Sequence, residues 1–192
     1  MKDSKILKVL DELERLEETS ELPEGLWHIS RETGLFFNAL LRHSKAKRIL
    51  EIGTSSGYSG LFLADAARAN GGKLITCEYS DFKIKLAKQT FEKAGLSEYV
   101  ELIEGDALQT IESLEGSFDC VFLDATKDEY PFYLSMVWDK LSVGGIILAD
   151  NMISHQDWIV IEAYKGLARL MDEAVSVTVP IGNGIEFTCK IK

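Results

Sequence analysis

Apolar residues recur along this 192-residue chain with two periods, and the two periods alternate. Ile6, Leu7, Leu10, Leu13 and Leu16 fall at near-helical spacing among charges, which predicts an amphipathic helix over residues 4–18. Leu35, Phe36, Ala39 and Leu40 predict a second helix over 31–43, with Ser30 placed to cap it. From there short apolar runs predict strands at 48–52, 73–78, 99–104, 118–123 and 144–149, with helical runs between them at 58–69, 82–94, 107–114 and 130–139. A last helix over 157–172 precedes runs at 175–179 and 185–191, which Pro180-Ile181-Gly182-Asn183-Gly184 joins as a closing hairpin. Strands alternating with helices imply an α/β fold: a mostly parallel sheet with helices on both faces, the hairpin making one end strand antiparallel. No internal repeat or linker divides the chain, so the reading is one domain over 1–192, with helices in 1–43 and an α/β core in 44–192.

Charge narrows the partners. The formal net charge of −10 opposes a nucleic-acid or anionic-membrane binder that works by overall charge. No apolar run approaches the roughly 20 residues that span a bilayer. The opening Met1-Lys2-Asp3-Ser4-Lys5 leads into a charged helix and not into a signal peptide, so a cytoplasmic protein is expected. Cys77, Cys120 and Cys189 sit in or beside strand-like runs without a CxxC spacing and read as buried, reduced thiols.

The chemistry gathers at the predicted strand ends, where ligands bind in open sheets of this kind. The run Leu50-Glu51-Ile52-Gly53-Thr54-Ser55-Ser56-Gly57 carries an apolar strand with an acid near its end into a Gly-rich turn. Gly53 lacks a Cβ and lets the turn approach a ligand, and outward N–H groups in such a turn suit anionic groups. The turn is not GxGxxG; it suits a single nucleoside-bearing cofactor better than a dinucleotide. The next four strands end at Glu78, Asp106, Asp124 and Asp150-Asn151. Glu78, 25 positions after Gly53, is placed to accept from both hydroxyls of a ribose. Asp106 either meets an adenine amino group or caps the helix from 107, and the two roles are compatible. Asp124, Asp150 and Asn151 offer only oxygen donors, suited to Mg²⁺ or another hard divalent cation such as Ca²⁺ or Mn²⁺; otherwise they cap a helix and open a polar loop. Lys127 is either a general base facing that site or a surface lysine paired with Asp128 or Glu129.

Taken together these pieces resemble the class I S-adenosylmethionine-dependent O-methyltransferases, in the metal-dependent branch of catechol and caffeoyl-coenzyme A O-methyltransferases. The resemblance runs over about residues 26–192 and rests on Ile29-Ser30-Arg31-Glu32-Thr33-Gly34, Leu50-Glu51-Ile52-Gly53 with Gly57-Tyr58-Ser59, Glu78, Gly105-Asp106-Ala107, Phe122-Leu123-Asp124-Ala125 with Lys127 and Tyr130, Ala149-Asp150-Asn151, and Pro180-Ile181-Gly182. It implies a Rossmann-like fold with a seven-stranded sheet, and a homodimer. Ile29 (through its backbone), Glu51, Gly53, Thr54 and Ser59 would hold the methionine portion of S-adenosyl-L-methionine, Glu78 its ribose, and Asp106, Ala107 and Thr126 its adenine. Asp124, Asp150 and Asn151 would bind the metal, Lys127 would be the base with Asp124 beside it, and His155 and Tyr130 would meet the substrate. The implied reaction methylates a metal-chelated hydroxyl of a small catechol-like aromatic.

The sequence departs from that family in two places, one of them a short N-terminal region. After Asn151 it enters a helix almost at once, where family members carry a longer loop, so a shallower acceptor pocket is expected and coenzyme A thioesters are disfavoured. His155 then has a second reading as a surface loop residue. A shortened loop also admits a hydroxylated nucleoside in tRNA as the acceptor, which the small basic cluster Lys45, Lys47 and Arg48 favours and the net charge opposes. A cofactor-binding protein without transferase activity is the non-enzymatic alternative. The absent GxGxxG excludes a nicotinamide dehydrogenase.

Overall fold

A computed structural model describes residues 1–19 and 21–192. Two helices, α1 (Ser4–Thr19) and α2 (Arg31–Ser44), precede the alternating part of the chain. There β1 (Arg48–Ile52), α3 (Tyr58–Ala69), β2 (Lys73–Glu78), α4 (Asp81–Ala94), β3 (Val100–Glu104), α5 (Ala107–Ser113), β4 (Phe118–Leu123), α6 (Tyr130–Trp138), β5 (Leu141–Ala149), α7 (Ile159–Leu170), β6 (Ala174–Val179) and β7 (Ile185–Lys190) follow in order. No helix among the described residues is long and apolar enough to cross a membrane.

The seven strands form one sheet in the order β3-β2-β1-β4-β5-β7-β6. All pairs from β3 to β5 are parallel, and β7 runs antiparallel to both neighbours. The hairpin is as expected, but the antiparallel strand is not the end strand. α7 carries the chain past one strand position to β6 at the edge, and β7 turns back into the gap. The β5 strand starts at Leu141 and not at 144, because it runs on through Gly144 at φ +83°, where glycine's missing Cβ makes the bend tolerable. The α7 helix starts at Ile159 and not at 157, since Trp158 is still extended.

Side chains alternate across β1 and build a core on each face. Ile49 joins Phe37, Phe62, Phe91 and Phe122 under α1 to α4, while Leu50 and Ile52 join Val121, Leu123, Ile147 and Tyr164 under α5 to α7. Ser30 caps α2 as expected, its Oγ accepting the Thr33 N–H at 3.1 Å. One acid lies inside the first core. Glu51 is fully buried and accepts from Ser59 Oγ at 2.5 Å and Thr76 Oγ1 at 2.6 Å. Burial pushes its carboxyl up to about 7, against the help of those two hydroxyls.

A Cβ at Gly34 would drive into the ring of Phe62, which is fully buried and has nowhere to move. Overpacking costs about 1–3 kcal/mol, against a helix-propensity gain of about 1 kcal/mol from Gly to Ala. Gly34→Ala therefore lowers stability on balance, seen as an earlier urea midpoint with an unchanged slope. For Glu51 the folded chain holds the carboxyl proton more tightly than the unfolded chain, so its contribution to stability falls as pH rises from about 4.5 to about 7. Glu51→Gln removes that term. Urea unfolding should find the variant roughly 2 kcal/mol more stable than the parent at pH 8 and near parity at pH 5.

Candidate active site

Strand order reverses between β1 and β4, and the crevice at their carboxyl ends is where an open sheet accepts a ligand. A cavity of about 1110 Å³ opens there. Its walls come from the turn after β1, the ends of β2, β3 and β4, the loop after β5, and the segment between α1 and α2. Of the residues predicted from sequence it is lined by Ile29, Gly53, Thr54, Ser59, Glu78, Asp106, Ala107, Asp124, Thr126, Lys127, Asn151 and His155.

The turn is built differently from the simplest expectation. Gly53 sits at φ +100°, and a Cβ on it would collide with the Asp124 carbonyl oxygen. The close approach it permits is to the backbone after β4. The Gly53 and Thr54 N–H groups both donate to Cys77 O at 3.1 Å, and the Ser55 N–H donates to Glu78 Oε2 at 2.8 Å. Three turn donors are thus occupied within the protein and do not face a ligand. Glu78 also accepts at Oε1 from the Tyr79 and Ser80 N–H groups, both at 3.0 Å. Its carboxylate is fixed in place before any ligand arrives. Asp106 caps α5, Oδ1 accepting the Leu108 N–H at 2.9 Å, and still faces the cavity, so both of its sequence readings are open to it.

Three predicted residues lie behind the lining. Glu51 sits beneath the turn, where it braces Ser59 and Thr76 and does not face the cavity. Asp150 is also buried and outside the lining. Tyr130 corrects the expectation of a substrate contact. It is fully buried, its hydroxyl donating to Leu123 O at 3.0 Å and accepting from Lys127 Nζ at 3.0 Å. The resemblance implied a place against the substrate, but Tyr130 is the first residue of α6 and packs into the second core against Tyr164.

Lys127 pairs with neither Asp128 nor Glu129. Its ammonium donates to Asp124 Oδ1 at 2.9 Å and to Tyr130, so it points back toward the β4 end. Asp150 stands on the neighbouring strand end, its N–H bonded to Leu123 O at 3.0 Å. Burial first, and the Asp124 charge second, push the Asp150 carboxyl up to about 7. Lys127 bonds one of these two carboxyl groups and reaches the other only through its charge. Asn151 completes the group in a left-handed conformation at φ +71°, uncommon outside glycine. Its Nδ2 donates to Ser154 Oγ at 3.2 Å, which leaves Oδ1 as its free donor atom for a ligand. Two crowded carboxyl groups and an amide oxygen fit a hard divalent cation, which would offset the mutual repulsion of Asp124 and Asp150. Among the described residues no group of three His, Cys, Asp or Glu side chains is placed to hold a metal; the donors at this strand edge are two acids and one amide.

Sequence reasoning missed the strap between α1 and α2. Leu26 O accepts from Ser55 Oγ at 2.8 Å, Glu24 Oε1 accepts from Ser80 Oγ at 2.8 Å, and His28 Nε2 meets Ser56 Oγ at 2.7 Å. The His28 ring stacks on Tyr58 at 4.5 Å, and Tyr58 donates to Glu14 of α1. The signal was a non-periodic run holding Pro23, Gly25, Trp27 and His28 between two helices, too rich in aromatic groups for a bare linker. Trp158, at the mouth beside His155 with ring centroids 4.6 Å apart, was missed too.

Comparisons with known proteins place the chain in a family. Residues 2–191 match the model of a family described as O-methyltransferase. A catechol O-methyltransferase of Niastella koreensis is 36% identical over 129 residues, which cover 65% of this chain and 58% of that protein. Caffeoyl-CoA O-methyltransferase 2 of Eucalyptus globulus is 31% identical over 189 residues, covering 87% of this chain and 76% of that protein. A Podospora anserina methyltransferase solved with SAH bound superposes with a TM-score of 0.86 at 27% identity, covering 98% of this chain and 88% of that one. The chain spans 47%, 58% and 61% of the length of three curated relatives that it matches. The family match leaves only the two end residues outside it, and the chain belongs to the O-methyltransferase family.

Proposed function

We propose that this chain transfers a methyl group from S-adenosyl-L-methionine to a hydroxyl of a small catechol-like aromatic, with Lys127 as general base and a divalent cation held by Asp124, Asp150 and Asn151. One observation carries the reading. The fixed carboxylate of Glu78 and the Lys127–Asp124 pair face the same cavity from opposite sides of the strand-order reversal. A nucleoside docked on the first brings its reactive end toward the second. The relative from Niastella koreensis bears the name catechol O-methyltransferase, and the Podospora anserina neighbour was solved with SAH, which supports the acceptor and cofactor classes.

When bound, the cofactor supplies an electrophilic methyl group and the cation supplies a Lewis-acid template for paired hydroxyls. The residues do the rest. Tyr130 donates its only proton to Leu123 O, so it offers Lys127 a lone pair. Asp124 offers another. A neutral lysine has two N–H bonds, and these two acceptors take both. Its own lone pair is then aimed away from them, toward the cavity, where it accepts the acceptor's hydroxyl proton at Nζ. Trp158 and His155 stand at the mouth and give an aromatic ring a surface to lie against. Holding the two reactants together accounts for most of the acceleration.

Labelled cofactor and a panel of catechols, with and without Mg²⁺, test the reading. Methyl ether formation is expected only with the cation. A protein that binds the cofactor and methylates no catechol under either condition would overturn the acceptor class. Asp124→Ala combined with Asp150→Ala should lower transfer by at least about 100-fold, while calorimetry finds the affinity for S-adenosylhomocysteine within about twofold of the parent. Tyr130→Phe leaves Lys127 one acceptor short; kcat should fall about 10-fold or more, with KM nearly unchanged.

A further inference from the structure

The run Pro180-Ile181-Gly182 carried part of the family resemblance, yet nothing in the proposed chemistry uses it. It opens the connection between β6 and β7. The Gly184 N–H donates to Ile181 O at 2.9 Å, which closes a four-residue turn with Gly182, at φ +54°, and Asn183 as its two central residues. This turn is wedged between two parts of the protein. A Cβ on Gly182 would collide with Thr33 Oγ1 in the first turn of α2, and one on Gly184 would collide with Ile153 in the loop after β5. Three backbone bonds then tie that loop to the turn. Gly184 O accepts the Met152 N–H at 3.0 Å, and Asn183 O accepts the Ile153 and Ser154 N–H groups at 2.9 and 3.1 Å.

The Asn183 backbone is thus fixed, and its side chain is left for other work. The residue is exposed at the turn and lines the cavity beside Asn151 and Ser154. Its amide stands against the Asp150 carboxyl as a donor, as does the Asn151 N–H, and both act against the upward push of burial on that group. The Asp150 backbone is set by the sheet, through its N–H on Leu123 O, but a carboxyl on a fixed backbone still turns about its side-chain bonds. The Asn151 N–H comes from the next residue in the chain, whereas Asn183 reaches Asp150 from a separate element. We propose that Asn183 is a positioning residue of the cation site: its carbonyl holds the loop after β5, and its amide orients the Asp150 carboxyl so that the remaining oxygen faces Asp124 and Asn151. A partner behind a metal ligand commonly sets about 10–100-fold in metal affinity. This inference rests on the cation reading above.

The two hard cations tell orientation from mere contact. Mg²⁺ demands near-octahedral donors, whereas Ca²⁺ takes more oxygens in a flexible arrangement, so a misdirected carboxyl costs Mg²⁺ more. The test measures both affinities on the whole protein, by competition with Mn²⁺ followed through its EPR signal. Asn183→Ala should weaken Mg²⁺ about tenfold and Ca²⁺ by less than about threefold. The alanine carbonyl still holds the loop, so the melting temperature without cation and the affinity for S-adenosylhomocysteine should both match the parent. Asn183→Ser serves in the same assays if the alanine variant does not fold. Unchanged Mg²⁺ affinity would overturn the proposal. Equal losses for the two ions would also overturn it, since they mark a general disturbance of the site, and a larger loss for Ca²⁺ would make Asn183 a direct ligand. A parent protein that binds neither ion would instead sink the cation reading beneath it.

Discussion

The contact on which this molecule depends is the backbone approach of Gly53 to Asp124. The two residues end the strands on either side of the order reversal, and nothing larger than hydrogen fits between them. A side chain at Gly53 would push the β1 turn away from the β4 loop. The Asp124 N–H also donates to Ile52 O at 3.0 Å, so the ladder is continuous up to the contact. The turn that lines the cavity and the loop that carries Lys127 are thereby held against each other. In methyl transfer, where holding the reactants at near-attack distance carries most of the acceleration, that rigidity is itself a functional property.

Around this contact the protein collects negative charge in a poorly solvated place. Glu51 and Asp150 both hold their protons more tightly than free carboxyls do, for the same leading reason of burial. Their surroundings separate them. Glu51 is enclosed by hydroxyl donors and supports the turn from below. Asp150 faces the Asp124 charge, and the lysine near them bonds to Asp124 and Tyr130. The first acid is structural and content to be neutral. The second is left in a conflict that a cation resolves, which is the reason to place the metal with Asp150 and not with Glu51.

Much of this was legible in the sequence. The β1, β2 and β4 bounds agree with the apolar runs, because parallel strands buried on both faces leave unbroken apolar stretches. The acids at the strand ends stood out because the fold puts ligands there. Depth was not legible. Glu51 and Tyr130 occupy motif positions, yet both point into the cores, and a motif gives a place along a strand or helix without saying how far a side chain sits from the cavity. The position of β7 between β5 and β6 was not legible either, since it depends on where a crossover lands and not on any local pattern. The strap escaped because it has no period at all. It is held by side chains bonded to the turn and to the start of α4, contacts that only the folded chain brings together.

That strap joins the separate parts of the site. Its Leu26 carbonyl is tied to Ser55, whose own N–H is tied to Glu78. Glu78 in turn holds the Ser80 N–H, and the Ser80 hydroxyl reaches back to Glu24 of the strap. The result is a closed ring of hydrogen bonds around the mouth of the nucleoside end. A ring of this kind resists distortion better than the same bonds in an open chain, because each member is positioned by two neighbours. It also links α1 to the site through Tyr58 and Glu14, and Glu17 of α1 itself lines the cavity. The N-terminal helix therefore acts on the cavity by fixing its cover, while the loop after β5 that carries Ser154, His155 and Trp158 is a part of the lining that this ring leaves out.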